Sequence, residues 1–149
     1  MASNGLVQAC PSREKRVRKG AELDKVHCAS WNVRTLTGKS IELVQALHRR
    51  KVNIACIQET KWVGAKACEI DGYKLWYSGG LRARNGVGIL VEKELTDRVM
   101  EIRRNSDCIM CIKLVLGAEV LNVICVYAPQ MGLSDDIKKV FWDELEEVM

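Results

Sequence analysis

VHCASWNV at residues 26–33 and VNIACIQ at residues 52–58 flank the segment SIELVQALHRRK at residues 40–51. The two outer segments have the length and nearly continuous apolar character of buried β-strands. The middle segment has apolar side chains at helical spacing (Ile41, Val44 and Leu47), and Ser40 precedes them as a possible N-cap. A strand, a helix and a strand in this order predict a βαβ-like unit.

The sequence that follows this unit is richer in strands. Apolar or alternating segments predict strands at 72–77, 87–91, 98–104, 108–116 and 119–127, with a tight turn at 117–118. Residues 134–148 begin with acidic side chains and repeat apolar ones at helical spacing, which predicts a final helix. The pattern is typical of a mixed α/β domain. We expect a flexible basic leader at 1–24 and a domain at 25–149 that is still incomplete where the sequence ends.

The charge distribution excludes a protein that is basic over its whole surface. The net charge is +4 at pH 7, and residues 1–25 contain six Lys or Arg against three Asp or Glu. The remainder is nearly neutral, so any contact with nucleic acid must come from local patches. The basic stretch at 13–19 is compatible with a nuclear signal, a nucleic-acid contact or a solvated leader.

Hydrophobicity and cysteine usage favour an intracellular protein. No apolar run reaches the ~18 residues that a membrane span requires, and we expect no membrane contact. The seven cysteines are irregularly spaced and several lie in apolar segments, which indicates reduced thiols. Cys108 and Cys111 form a single CxxC motif inside a predicted strand, where two unconnected strand cysteines are a better interpretation than a zinc site.

Polar side chains stand at the ends of three predicted strands, in SWNV (30–33), IQETK (57–61) and VYAPQ (126–130). Ligands of α/β sheets usually bind at this edge. If Asn32, Glu59 and Tyr127 converge there, they form an oxygen-rich site suited to Mg²⁺, which often takes one or two carboxylates with water and substrate phosphate. Glu59 could ligate the cation, Asn32 could orient a water or an acid, and Tyr127 could donate to a phosphate oxygen.

Each of these residues also has a structural explanation. A Glu after a buried strand is usually the first solvated residue, an Asn there is usually a turn residue, and a Tyr usually lies at the edge of a core. Only their joint occurrence favours a site.

Four motifs, SWNV (30–33), IQETK (57–61), NGVGILV (85–91) and VYAP (126–129), occur in this order. Together they resemble the endonuclease/exonuclease/phosphatase superfamily. The chain looks closest to the apurinic-type endonuclease domain of LINE-like, RTE-type non-LTR retrotransposons, and the resemblance covers about residues 26–149. It implies the N-terminal half of a four-layered, DNase I-like α/β sandwich and Mg²⁺-dependent hydrolysis of DNA phosphodiesters, with Mn²⁺ as an alternative cation.

The resemblance also implies roles for individual residues. Glu59 would be the metal ligand, Asn32 would belong to the network around the metal, and Tyr127 would contact the scissile phosphate. DNA contacts would come from Lys61 at the rim, from Arg82 and Arg84 in the loop 78–86, and from Gln130, where many apurinic-type members have Asn. For Arg82 and Arg84, a solvated loop without DNA contacts is the alternative. Gly86 and Gly88 would permit close packing of the backbone.

The family's later motifs, of GlyAspPheAsn and SerAspHis type, are missing from this sequence, and neither His27 nor His48 is placed to replace them. We therefore expect little or no nuclease activity from this chain alone, and self-association through an uncovered inner sheet face. The alternatives are a phosphatase or sphingomyelinase-like phosphodiesterase, and a non-catalytic retroelement remnant or binding fragment.

Overall fold

Two β-sheets and two α-helices make up the computed structural model, which describes residues 13–19, 22–128 and 135–148. The first sheet contains β1 to β6 and the second contains β7 to β9. The elements in chain order are β1 (Arg13–Lys19), β2 (Glu22–Asn32), α1 (Ser40–Arg49), β3 (Ile54–Gln58), β4 (Ala67–Ile70), β5 (Tyr73–Ser78), β6 (Val87–Glu92), a 3-10 helix (Lys93–Arg98), β7 (Val99–Arg104), β8 (Ile109–Leu116), β9 (Glu119–Val126) and α2 (Asp135–Val148).

The predicted βαβ unit is confirmed. Strands β2 and β3 pair in parallel, and α1 connects them. Ser40 is the first helical residue and not the N-cap; Lys39 occupies that position and makes no side-chain capping bond. The expectation that Ser40 caps the helix was therefore wrong by one position.

The six-stranded sheet has the order β1-β2-β3-β6-β5-β4, with every pair except β2–β3 antiparallel. Helix α1 packs its buried side chains Leu43, Val44 and Leu47 against one face, in a core that includes Ile57 and Leu90. Burial of apolar side chains on one stripe of the helix holds it against the sheet.

The opposite face of this sheet packs against the three-stranded sheet. Their common core contains Ile54, Ile89 and Val91 from the larger sheet and Met110 and Ile112 from β8. The expectation of an uncovered inner face was wrong for these strands, because β7, β8 and β9 supply the partner sheet. Self-association remains a prediction, but it can no longer be based on an exposed inner face of these strands.

Strand β1 lies inside the segment that we expected to be a flexible leader. Its backbone pairs with β2 from Arg13 opposite Cys28 to Lys19 opposite Glu22. Charged side chains do not prevent this, because ladder hydrogen bonds join backbone groups. The division of the chain at residue 25 therefore does not coincide with the start of regular structure.

Neither described helix is long and apolar enough to span a bilayer.

Candidate active site

The sheet topology places two predicted site residues, Asn32 and Glu59, at one edge of the larger sheet. Asn32 at the end of β2 is the register partner of Gln58 at the end of β3, and Glu59 follows directly. Gln58 is also the partner of Val87, the first residue of β6. The end of the loop 78–86, which directly precedes β6, therefore lies beside the segment that follows β3.

Asn32 and Glu59 are in direct contact. The Asn32 side-chain amide donates to Glu59 Oε1 at 3.0 Å, and its Oδ1 accepts the backbone N–H of Arg34 at 2.9 Å. Asn32 is only 1% exposed, so its polar atoms depend on these partners. The contact leaves Oε2 as the carboxylate oxygen of Glu59 that is not engaged by Asn32.

The backbone around Glu59 adopts an uncommon conformation. Glu59 and Lys61 have φ values of 60° and 58°, and Asn85 in the facing loop has 54°. Left-handed backbone at non-glycine residues persists where surrounding contacts hold it, and such residues cluster at functional sites. Here the Thr60 N–H donates to Gly86 O at 3.1 Å and the Lys61 N–H donates to Asn85 O at 2.8 Å.

A cavity of ≈ 570 Å³ opens at this edge. Glu59, Lys61, Arg84 and Tyr127 all contribute to its wall, so four predicted site residues meet at one opening. Apolar side chains of α2, among them Phe141, form another part of the wall. The cavity thus combines three carboxylates, two cationic side chains and a phenol, groups that can bind a cation and a phosphate.

Comparison with solved protein structures identifies several that share the fold of this chain. A structural alignment with an AP endonuclease from Archaeoglobus fulgidus has a TM-score of 0.61 at 23% identity, over 82% of this chain and 50% of that one. An AP endonuclease from Leishmania major aligns with a TM-score of 0.60 at 15% identity, over 79% and 46%. The chain has the endonuclease/exonuclease/phosphatase fold. A 3′ phosphatase from Neisseria, solved with a product DNA hairpin, also shares this fold at a TM-score of 0.60 and 17% identity, over 80% and 49%.

The sequence comparisons find curated relatives of low identity. Craniofacial development protein 2 from Bos taurus is 28% identical over 123 residues, and the protein of that name from Tragulus javanicus is 27% identical over the same length. Each alignment covers 80% of this chain and 21% of the relative, so the chain spans about a fifth of these curated proteins and about half of the solved ones. No family model matches the sequence.

Not every predicted residue of this endonuclease/exonuclease/phosphatase fold lies at the cavity. Arg82 is exposed in the same loop as Arg84 but does not line the wall. Gln130 lies outside the described residues. His48 belongs to α1, and its ring forms a hydrogen bond with the Asp71 backbone oxygen at 2.7 Å. The backbone N–H of His27 donates to Asn53 Oδ1 near the start of β3.

Gly86 and Gly88 have the predicted packing role. A Cβ at Gly86 would lie 2.3 Å from Thr60 Oγ1, and one at Gly88 would lie 2.9 Å from Leu75 Cδ1. Both distances are shorter than van der Waals contact, so only glycine allows these strands and loops to approach as they do.

The cysteines of the CxxC motif lie in different surroundings. Burial and the adjacent Asp107 carboxylate, which accepts a hydrogen bond from the thiol, raise the pKa of Cys108 to about 12. Burial also raises the pKa of Cys111, which lies near Arg103 and Glu101 on β7. Among the described residues, no group of three or more His, Cys, Asp or Glu could hold a metal ion.

Sequence reasoning missed two residues of the site, Asn85 and Asp107. Both line the cavity, and Asn85 Nδ2 donates to Asp107 Oδ2 at 3.1 Å. Asn85 belongs to the motif NGVGILV (85–91), but the turn that contains Asp107 has no motif that would single it out. Its proximity to Glu59 follows only from the packing of the two sheets.

Proposed function

We propose that this chain carries the metal-binding and phosphate-binding part of a Mg²⁺-dependent site for hydrolysis of phosphodiesters in DNA. The observation that supports this most directly is the hydrogen bond from Asn32 to Glu59, a residue that lines one cavity together with Lys61, Arg84 and Tyr127. The shared fold with DNA-processing enzymes adds support.

The donor set fits a hard cation that keeps most of its water. Glu59 provides one carboxylate, and Asn32 holds it through Oε1, so Oε2 would ligate Mg²⁺. Magnesium commonly binds proteins through one or two carboxylates together with substrate phosphate, so a larger cluster of ligands is not required. Mn²⁺ has the same preference for oxygen and would serve as its substitute. When bound, the cation would polarise a phosphate oxygen.

The remaining groups have separate tasks in this proposal. Asn32 orients the Glu59 carboxylate, and its own Oδ1 is already engaged by Arg34. Lys61 and Arg84 attract the phosphate backbone, and the Tyr127 hydroxyl donates a hydrogen bond to an oxygen of the scissile phosphate. Arg82 would contact DNA further along the same loop.

Mn²⁺ titration of the ¹⁵N-labelled chain tests the metal site directly, because a bound paramagnetic ion broadens signals of nearby amides. We expect broadening at the Asn32 side-chain amide and at the backbone amides of Thr60 and Lys61. Glu59→Gln should abolish it, since the amide keeps the oxygen that accepts from Asn32 but loses the charge. Glu69→Gln, which removes an exposed carboxylate on β4, is the matched control.

Broadening that is diffuse, or that survives Glu59→Gln, would contradict the proposed site and favour a non-catalytic binding fragment. We expect the chain alone to nick supercoiled plasmid slowly or not at all. Mg²⁺-dependent nicking that disappears in Glu59→Gln would refute this low activity but support the site.

We also propose a nuclear location, motivated by the basic stretch Arg13–Lys19, which forms β1. A fluorescent fusion that stays excluded from the nucleus would contradict it.

A further inference from the structure

The turn at residues 105–108, between β7 and β8, contacts both ends of the loop before β6. Ser106 O accepts from Ser78 Oγ at 2.7 Å at the start of the loop, and Asp107 contacts its end. Asp107 accepts twice from neighbouring residues of that loop: its Oδ2 accepts from Asn85 Nδ2 at 3.1 Å, and its backbone oxygen accepts from the Gly86 N–H at 2.8 Å. Asp107 therefore holds both Asn85 and Gly86.

The same two loop residues hold the segment that follows Glu59. The Gly86 oxygen accepts from the Thr60 N–H, and the Asn85 oxygen accepts from the Lys61 N–H. These bonds enclose a segment whose residues Glu59 and Lys61 both have left-handed backbone. Because this conformation is disfavoured for side-chain-bearing residues, it needs such external contacts to persist.

We propose that Asp107 is a positioning residue for Glu59, acting through Asn85 and Gly86. Three segments from different strand ends are joined in this way: the turn 105–108, the end of the loop 78–86, and residues 59–61. The inference rests on the proposed function insofar as Glu59 is the metal ligand. Partners of this kind typically change metal affinity by roughly 10–100-fold when they are removed.

Two substitutions separate this linkage from the charge of Asp107. Asp107→Ala removes the carboxylate, whereas Asn85→Gly removes only the side-chain donor. Glycine tolerates the positive φ of Asn85, so the backbone is not strained further, and the charge of Asp107 remains. Asp97→Ala removes an exposed carboxylate from the 3-10 helix and is the matched control.

Amide hydrogen exchange of the metal-free protein is the first measurement. In both variants we expect the Lys61 amide to exchange at least about tenfold faster, because the Asp107 carboxylate no longer holds Asn85, whose backbone oxygen is its acceptor. The Thr60 amide should respond less, because the Gly86 N–H still donates to the Asp107 backbone oxygen in both variants. The Leu43 amide in α1, which donates to Lys39 O, should not change. An unchanged Lys61 amide in Asn85→Gly, or an equal acceleration at Leu43, would overturn the proposal.

Mn²⁺ affinity is the second measurement. We expect a loss of about tenfold or more in each variant, and a double variant no weaker than the single ones, because both act on one linkage. If Asp107→Ala loses affinity while Asn85→Gly retains it, Asp107 acts through its charge and the proposal is wrong. If the unaltered chain binds no Mn²⁺ at Glu59, the proposed function fails, while hydrogen exchange still decides whether Asp107 holds the segment.

Discussion

Replacing Gly86 by Ala tests how closely the end of β3 and the loop before β6 must approach each other. Gly86 has a φ of 95°. A Cβ at this position would lie 2.3 Å from Thr60 Oγ1 and 3.2 Å from the Lys61 backbone nitrogen. The first distance requires Thr60, whose side chain is fully buried, to move.

The expected loss of stability combines two costs and one gain. Left-handed backbone costs a non-glycine residue about 1–2 kcal/mol, and overpacking of this kind costs about 1–3 kcal/mol. The smaller conformational freedom of Ala in the unfolded chain returns about 0.4–1 kcal/mol. We therefore expect Gly86→Ala to lower the free energy of unfolding by about 2–4 kcal/mol, and the midpoint of thermal unfolding by roughly 10 °C.

Gly38→Ala is the matched control. Gly38 also has a positive φ, of 74°, but a Cβ there would meet nothing within 4 Å. It should lose only the backbone contribution, about 1 kcal/mol. Urea unfolding followed by tryptophan fluorescence measures both variants. If their free energies of unfolding differ by less than about 0.5 kcal/mol, the close approach at Thr60 is not what requires glycine at residue 86.

Three further predictions concern the site. Arg84→Ala should weaken duplex DNA binding more than Arg82→Ala, because only Arg84 lines the cavity with Glu59; fluorescence anisotropy at several salt concentrations measures this, and equal losses would contradict it. Asn32→Ala should lower the free energy of unfolding by about 1–3 kcal/mol, because the Arg34 N–H loses its acceptor; urea unfolding that matches the unaltered chain would contradict it. The raised pKa of Cys108, about 12 against an ordinary 9.0, means that the unfolded chain releases this proton first. The stability that the protonated Cys108 thiol contributes to the folded state is therefore complete below pH 9 and is lost as pH rises toward 12. Cys108→Ala should then flatten the decline of unfolding free energy in that window, and an unchanged slope would count against this assignment.

The buried strands could be predicted because their composition is unambiguous. Ile54–Gln58 and Val87–Glu92 are almost entirely buried, and strands of this kind appear as continuous apolar runs. A helix between β2 and β3 implied a parallel pair, so the ends at Asn32 and Gln58 were expected side by side. The proximity of Asn32 and Glu59 follows from that order of elements, whereas Tyr127 follows β9 of the second sheet and its convergence with them was only a condition of the predicted site.

Elements that bury few apolar side chains could not be predicted, because their sequences lack an apolar pattern. Strand β4 (Ala67–Ile70) alternates between exposed and half-buried positions at the edge of the sheet, and the 3-10 helix at Lys93–Arg98 has no buried residue. Strand β1 is held by backbone pairing to β2. None of the three needs an apolar pattern, so periodicity cannot reveal them.

The sequence by itself determined the α/β class, the order of the buried strands and the strand ends that carry Asn32, Glu59 and Tyr127. These depend on local composition and on spacing along the chain. Only the tertiary structure decided that Arg84 and not Arg82 lines the cavity, and that Asp107 holds the loop beside Glu59. The physical reason is that Asn85 and Asp107 stand 22 positions apart. Asn and Asp are polar residues that are common in loops, and a hydrogen bond between two of them so far apart leaves no periodic pattern in the sequence. This bond forms only when the two sheets have packed together.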